Sequence, residues 1–349
     1  MADQVPIAQT DLLCTSCAGQ CAFDPATGHL LCDSCGTGHI IAVDAWVNAA
    51  AEQPYHPDLP HTEQPKFSQD RPYQCQTCGG EVVFQGHSIS QNCPYCNGVL
   101  VECPRDESYP TLGMIPFAVA PQSAQDNVVA WGAARWAAPS DLAGIIAQSS
   151  VAGIYVPFWT FDSQEAVNYT VWYTKKSGKK TSIRFKRGLM RTSFDDLLMP
   201  ASPHVTPLIR DGILHEFEPD RLRPFEPAYL AGFAAERHHQ SVREGLASNA
   251  DDKDVLLRNQ IKRHSRKSSI INISYKTDTT GLKYRRILLP VWLLHYTYGG
   301  KPMKVVTCGL HGRTFGERPF SMAKLYGMAT ALAAVATGIG LVWGAGQIF

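Results

Sequence analysis

Eight cysteines, arranged as two copies of one unit, limit what the first third of this chain can become. Cys14-Thr-Ser-Cys17 and Cys32-Asp-Ser-Cys35 are separated by fourteen residues, and so are Cys75-Gln-Thr-Cys78 and Cys93-Pro-Tyr-Cys96. Each cysteine of the first unit recurs 61 residues later, which makes the segment an internal repeat. A CxxC turn offers two thiolates, and an intervening hairpin returns the second turn to complete a tetrahedron. The spacing predicts two four-cysteine zinc ribbons with two structural Zn2+ as cofactors, one ion held by Cys14, Cys17, Cys32 and Cys35, the other by Cys75, Cys78, Cys93 and Cys96. Gly19, Gly36, Gly79, Gly80 and Gly98 follow the knuckles, where glycine lets backbone N–H groups turn toward sulfur. Phe23 and Phe84, again 61 residues apart, supply an apolar plug to each unit. Four thiolates without histidine describe a closed structural site, whereas a catalytic zinc keeps a position for water. The competing reading is a pair of disulfide-stapled hairpins. A ribbon this small buries too little to fold by itself, and structural zinc contributes roughly 10–16 kcal/mol to such a unit. Cys21 corresponds to Val82 in the repeat and is expected to be a packing thiol, with Cys103 and Cys308 also free.

At 349 residues, 44% hydrophobic and 18% charged, the chain has room for two or three globular domains. Its start, Met-Ala-Asp-Gln-Val-Pro, has neither a basic region nor an apolar run, so no secretory signal is expected. Eight metal-binding and three free cysteines fit a reducing compartment. The net charge of +1 conceals an asymmetry. Residues 1–112 hold three Lys/Arg and thirteen Asp/Glu, a net of −10, so the remainder carries +11. The ribbons contain Asp11, Asp24, Asp33, Asp44 and Glu81 and no cation. Gripping phosphates requires positive potential. These ribbons are therefore expected to meet a basic protein surface or this chain's own basic half.

The fold class expected is α+β. Ribbon 1 occupies 10–45, a Pro-rich linker 46–72, ribbon 2 73–104, a core of mixed antiparallel sheet and helix 113–320, and a transmembrane tail anchor 322–349. The linker has four prolines between Gln53 and Pro65, which rules out a helix or a central strand, and its His56 and His61 read as solvated. Within the core, β-branched and aromatic runs predict strands at 115–120, 154–161, 167–173, 182–187, 270–275, 287–298 and 303–308. The 175–180 segment and Gly299-Gly300 read as hairpin turns. Helices are expected at 125–136, after the cap Pro139-Ser-Asp-Leu, and from 227 to 249 extending toward His264. Residues 166–194 contain eight Lys/Arg and no acid, and 255–277 are likewise basic without an acid. Solvated faces, an anionic lipid surface, the acidic ribbons and nucleic acid all remain open as readings of these runs.

Residues 325–349 carry no charge, and Tyr326 and Trp343 stand 17 residues apart, about 26 Å on a helix and near the roughly 30 Å hydrocarbon thickness. Ala336, Gly340 and Gly344 form a small-residue face for helix pairing. A buried C-terminal helix is the competing reading. Arg313, Arg318 and Lys324 precede the span, so the positive-inside rule places the N-terminal domains in the cytoplasm, with a single pass through the inner membrane. No phosphate-binding loop, dinucleotide fingerprint, zinc-protease helix or nucleophile elbow occurs. His215-Glu216, His238-His239, His295 and His311 belong to no second motif, and no catalytic or organic-cofactor residue is assigned.

Several further stretches carry a resemblance. Gly153-Ile-Tyr-Val-Pro-Phe-Trp-Thr-Phe-Asp162, Phe194-Asp-Asp-Leu-Leu198, Pro227-Ala-Tyr-Leu-Ala-Gly232, Leu289-Pro-Val-Trp-Leu-Leu294, Tyr298-Gly-Gly-Lys301 and Gly309-Leu-His-Gly-Arg-Thr-Phe-Gly-Glu-Arg-Pro319 recur together with the ribbons and the tail. In this respect the chain resembles a bacterial family of membrane-tethered zinc-ribbon proteins, often described as primosomal-helicase-like or as carrying a transcription-factor-type zinc ribbon. It departs from that family where Cys308 and His311 stand in place of Asn and Thr. The resemblance implies association with membrane scaffolds of the band-7 or phage-shock type. Helicase activity is not expected, because the chain has no nucleotide-binding motif. The expected function is a non-enzymatic membrane-anchored adaptor that binds protein partners and the anionic membrane surface, with homo-oligomerisation through the tail. A membrane-tethered nucleic-acid-binding protein of replication or transcription is the alternative.

Overall fold

Three strands too long for an ordinary sheet organise the molecule. The computed structural model describes residues 12–42, 51–56, 63–67, 72–85, 92–103, 107–178, 180–213 and 217–345. Asp11, Asp44, His61, His215 and Glu216 fall outside them. The N-terminal strands are β1 (Cys21–Asp24), β2 (His29–Cys32), β3 (Gly38–His39), β4 (Gln53–Pro54), β5 (Lys66–Phe67), β6 (Pro72–Cys75), β7 (Glu81–Phe84), β8 (Leu100–Glu102), β9 (Glu107–Ser108) and β10 (Gly113–Met114). Then come α1 (Pro121–Ala133), α2 (Leu142–Ala147), β11 (Val151–Ser177), β12 (Lys180–Pro200), α3 (Pro207–Ile213), β13 (Arg223–Pro224) and β14 (Ala234–Ala235). The chain closes with α4 (Val242–Ser248), α5 (Ala250–Ser265), β15 (Ile270–Tyr298), β16 (Lys301–Cys308), β17 (Thr314–Gly316) and α6 (Met322–Ala345). This is the expected α+β class, with two N-terminal four-cysteine sites and one C-terminal apolar helix.

The segments predicted as strands at 154–161 and 167–173 are one strand, β11, and those at 270–275 and 287–298 are one strand, β15. The polar interval that separates them in sequence stays in the sheet because its acids find partners. β11 lies between β12 and β15, antiparallel to both, and β15 continues to β16 and β17. Both neighbours of β11 bulge opposite Asp162 and Ser163, with Asp196 at φ 50° and Gly281 at φ 62°. Bulges of this kind bend a strand and increase its twist. Helix α5 packs Leu257 and Ile261 against Val167, Tyr169, Val171 and Met190 on one face of the long arm. At the opposite end α1 and α2 cover Leu294, Tyr296 and Val305.

Two expectations are corrected by packing. Residues 227–249 do not form one helix. Pro227–Leu230 is a 3-10 turn, Gly232 takes φ 90°, and β14 follows before Ser241 opens α4 with a capping box to Glu244. Residues 115–120 are not a strand: ladder pairing stops just before them at β10, which runs parallel to β15 and antiparallel to β13. The Gly299-Gly300 hairpin forms as expected, both residues at positive φ between the paired Tyr298 and Lys301.

The ribbons are built into the core. β7 pairs with β14, which pairs with β11, so ribbon 2 is continuous with the central sheet. Cys75, Val82, Cys93 and Tyr95 share a buried cluster with Ile154, Val156 and Leu289. In ribbon 1, Phe23 meets Tyr229 and Phe233, and its backbone N–H donates to Ala231 at 3.0 Å. Between the ribbons, β4 pairs with β15, Glu52 bonds Lys283 and Arg285, and Glu63 bonds the buried Arg286. The acidic half thus meets the basic half chiefly through this segment, while the ribbons dock by apolar contact.

Candidate metal centres and their surroundings

All four knuckles share one backbone solution. The residue after the second cysteine of each CxxC takes a left-handed conformation: Ala18 at φ 57°, Gly36 at 71°, Gly79 at 73° and Asn97 at 62°. The turn closes with N–H to carbonyl bonds from Cys14 to Gly19, Cys32 to Thr37, Cys75 to Gly80 and Cys93 to Gly98, between 2.7 and 3.0 Å. Backbone N–H groups of Ser16 and Thr77 each point at the first sulfur of their knuckle from 3.4 Å. Gly19 and Gly98 are required for space. A Cβ would lie 3.0 Å from Cys32 Sγ at the first and 3.0 Å from Cys75 Sγ at the second.

These turns gather Cys14, Cys17, Cys32 and Cys35 into one group and Cys75, Cys78, Cys93 and Cys96 into another. In the first, Cys14 Sγ lies 3.6 Å from Cys35 Sγ and Cys17 Sγ 3.5 Å from Cys32 Sγ. In the second, Cys75 and Cys96 are 3.4 Å apart and Cys78 and Cys93 3.8 Å. Four sulfurs about 2.3 Å from one ion stand about 3.8 Å from one another, whereas a disulfide holds them at about 2.05 Å. Both groups can hold a metal ion and suit tetrahedral zinc, and every cysteine is a free thiol. Cys14 and Cys75 are shifted toward ionisation, whereas burial raises Cys93 and Cys96, and at Cys17 the Gly19 N–H is outweighed by hydrogen bonds with the other sulfurs, which raise it. Burial opposes ionisation at Cys14, but hydrogen bonds from His39 and the backbone outweigh that and bring the thiol down to about 5. At Cys75 burial is likewise overcome by backbone N–H groups, to about 7.

The two centres differ in their surroundings. Cys17 and Cys35 of the first are exposed, while Cys78 and Cys96 of the second are half-buried. His39 Nε2 sits 3.3 Å from Cys14 Sγ, and Cys21 lies within the same group. Burial and the neighbouring Cys32 push the Cys21 thiol up to about 12, so it stays protonated, in keeping with a packing thiol. His39 escaped the sequence reading. Its only signal there is that the repeat places Leu100 at the equivalent position.

Ribbon 2 rests on a buried carboxyl that no motif announced. Glu236 follows β14 and accepts from Ser202 at 2.5 Å and from Tyr95, one of the two residues between Cys93 and Cys96. His295 meets the Pro94 carbonyl at 2.7 Å. His238 is fully buried, bonded to the Phe158 carbonyl at 3.2 Å and to Thr111 at 3.2 Å, and His311 pairs with Glu218 at 3.0 Å. These three histidines are therefore satisfied structural groups. Two of the stretches that carry the resemblance, Gly153–Asp162 and Phe194–Leu198, meet at the double bulge. There Glu52, Asp162 and Asp195 group their carboxylates, while Arg285 bonds Glu52 and Asp196. Burial, then a hydrogen bond with Glu52, raises Asp162 to about 6.

A groove of about 640 Å³ runs between the ribbons and the start of β11. The two ribbons line it with equivalent residues: Phe23 and Phe84, Leu31 and Asn92, Asp33 and Pro94. Finally, α6 is long and apolar enough to cross a membrane, and none of its Met322–Ile339 window is buried against the body.

Fold and centres together define an α+β protein with two closed four-cysteine sites and one apolar C-terminal helix. No family model matches the chain. It is similar to the uncharacterized protein YdjG of Bacillus subtilis (strain 168), 25% identical over 327 residues that cover 89% of this chain and 91% of that protein. No solved structure matches.

Proposed function

We propose that this chain is a membrane-anchored adaptor holding two structural zinc ions, without catalytic activity. The observation that carries the reading is α6. Tyr326, Met328, Leu332, Val335 and Ile339 are all exposed around a helix that the rest of the chain leaves uncovered. A helix apolar on every side belongs in lipid or in a protein core. Arg313, Arg318 and Lys324 flank its N-terminal end, which keeps the ribbons and core in the cytoplasm, at the inner membrane. The ribbons are the partner-facing part, acidic and lacking the cations that a phosphate backbone needs. The resemblance to membrane-tethered zinc-ribbon proteins makes a band-7 or phage-shock-type scaffold the class of partner, with the basic core laid along the anionic leaflet.

A second reading, nucleic-acid binding, is favoured by one observation. On the arm face opposite α5, Trp172 pairs across strands with the exposed Phe185, beneath the Arg187 guanidinium. Such a face stacks bases as readily as it meets lipid.

Membrane fractionation tests the first reading. Full-length protein is expected to resist carbonate extraction, and a chain ending at residue 321 to appear in the soluble fraction. If both fractionate alike, α6 is a packing helix and the membrane model fails.

A further inference from the structure

Some cations of the core meet carboxylates. Arg258 meets Asp254, Arg210 meets Asp252, Lys253 meets Glu165, Arg285 meets Asp196 and Arg286 meets Glu63. In one cleft several cations are instead gathered together. Between β12 and the last turn of α5, Lys186, Arg191, Arg263, His264 and Arg266 line a space of about 640 Å³, with no carboxylate among its described lining residues. Among the described residues, Arg191, Arg263 and Arg266 have no acidic partner.

The cleft is shaped from beneath. Lys186 Nζ donates to the Ser265 carbonyl at 3.2 Å and ties the strand to the helix end. The nearly buried Tyr169 reaches His264 Nδ1 with its hydroxyl at 3.0 Å and fixes the ring at the rim. Tyr169 can do so because residue 188 is glycine, where a Cβ would lie 2.4 Å from that hydroxyl. Arg266 closes the helix in a left-handed conformation, φ 51°, its N–H donating to the Arg263 carbonyl at 3.3 Å. Three guanidiniums and an ammonium crowded together repel one another unless an anion lies among them. Guanidinium forks match phosphate oxygens two at a time, and four positive charges balance two phosphate groups.

The geometry points to this cleft as a binding site for a small ligand carrying two phosphate groups, either a soluble diphosphate or a diphosphate lipid headgroup. The site does not depend on α6 spanning a bilayer, so failure of the membrane reading leaves it standing. Full-length protein in neutral maltoside detergent is titrated with inorganic pyrophosphate by calorimetry, and separately reconstituted in phosphatidylcholine nanodiscs with and without cardiolipin. Arg263→Ala with Arg266→Ala is expected to weaken binding at least tenfold. Lys175→Ala with Lys176→Ala removes as much charge from the exposed tip of the arm and is expected to change it less than twofold. Pyrophosphate binding lost in the first variant supports a soluble ligand, and a cardiolipin effect lost in the same variant supports a lipid. The proposal is overturned if neither probe binds, if both variants weaken binding equally, or if random duplex DNA binds through the same arginines while both probes fail.

Discussion

Glu236 is a carboxyl that the fold holds near neutrality. Burial raises it to about 7 although Ser202 and Tyr95 both donate to it. Its counterpart stands two residues further along the chain, where burial lowers His238 to about 3. The two act on stability with opposite signs. A carboxyl raised on folding contributes stability that is complete below about 4.5 and is lost as pH climbs through about 7. An imidazole lowered on folding contributes stability that is complete above about 6.5 and is lost as pH falls toward about 3. Glu236→Gln keeps an acceptor for one hydroxyl, offers its amide N–H to the oxygen of the other, and cannot ionise. Melting temperatures between pH 5 and 8 should therefore rise to about 6.5 and then level in the variant, while wild type, in which the two slopes oppose each other, stays nearly level to about 6.5 and declines up to about 7. The difference between the two should change by at most about 3 kcal/mol over that range. Parallel profiles would show that Glu236 does not titrate there.

At the scale of elements, two helical glycines give opposite expectations. Gly144 in α2 faces open space, and alanine there should stabilise by about 0.5–1 kcal/mol through helix propensity. Gly245 in α4 touches Trp159, where a Cβ would lie 2.6 Å from the indole nitrogen. The same substitution at Gly245 should cost about 1–3 kcal/mol, because overpacking outweighs propensity. Chemical denaturation of the two variants decides it, and equal signs would refute the packing account. Neither sign is legible in sequence, since both glycines sit in plausible helical runs. The continuity of β11 was hidden for a related reason. Asp162 to Ala166 reads as a break, yet Glu165 is buried among Ser163, Thr277, Thr279 and Lys253, which together hold its carboxyl below the usual range against the pull of burial.

At the scale of the whole molecule, the two centres sit in one folded body but differ in exposure. The expected zinc content is two ions per chain, falling to one in Cys75→Ser with Cys78→Ser and to one in Cys14→Ser with Cys17→Ser. Release to a chelator, followed by a metallochromic dye, should be biphasic. The fast phase should vanish in the first-ribbon variant, because Cys17 and Cys35 are exposed while Cys78 and Cys96 are half-buried. A single phase in wild type, or fewer than two ions, would contradict this assignment. The same scale separates anchor from charge. α6 starts where Ser321 and Lys324 bond the Ala137 and Ala138 carbonyls, at the α1–α2 end of the sheet. The basic tip lies at the other end of β11, whose 22 steps from Val151 to Tyr173 span about 70 Å at about 3.3 Å each.

The repeat alone determined which eight cysteines come together and how they group, because a cluster assembled from CxxC turns is local and its spacing is written in the chain. The apolar tail and the Gly-Gly hairpin were local in the same way. Only the tertiary structure decided that ribbon 2 is part of the core sheet, since that joining runs through two residues of β14 that carry no pattern of their own. It alone decided which acids and histidines are buried, and that Lys186 and Arg191 share a cleft with Arg263 and Arg266. Those groups meet across more than seventy residues, and their partners are set by burial and by strand register, neither of which a linear sequence displays.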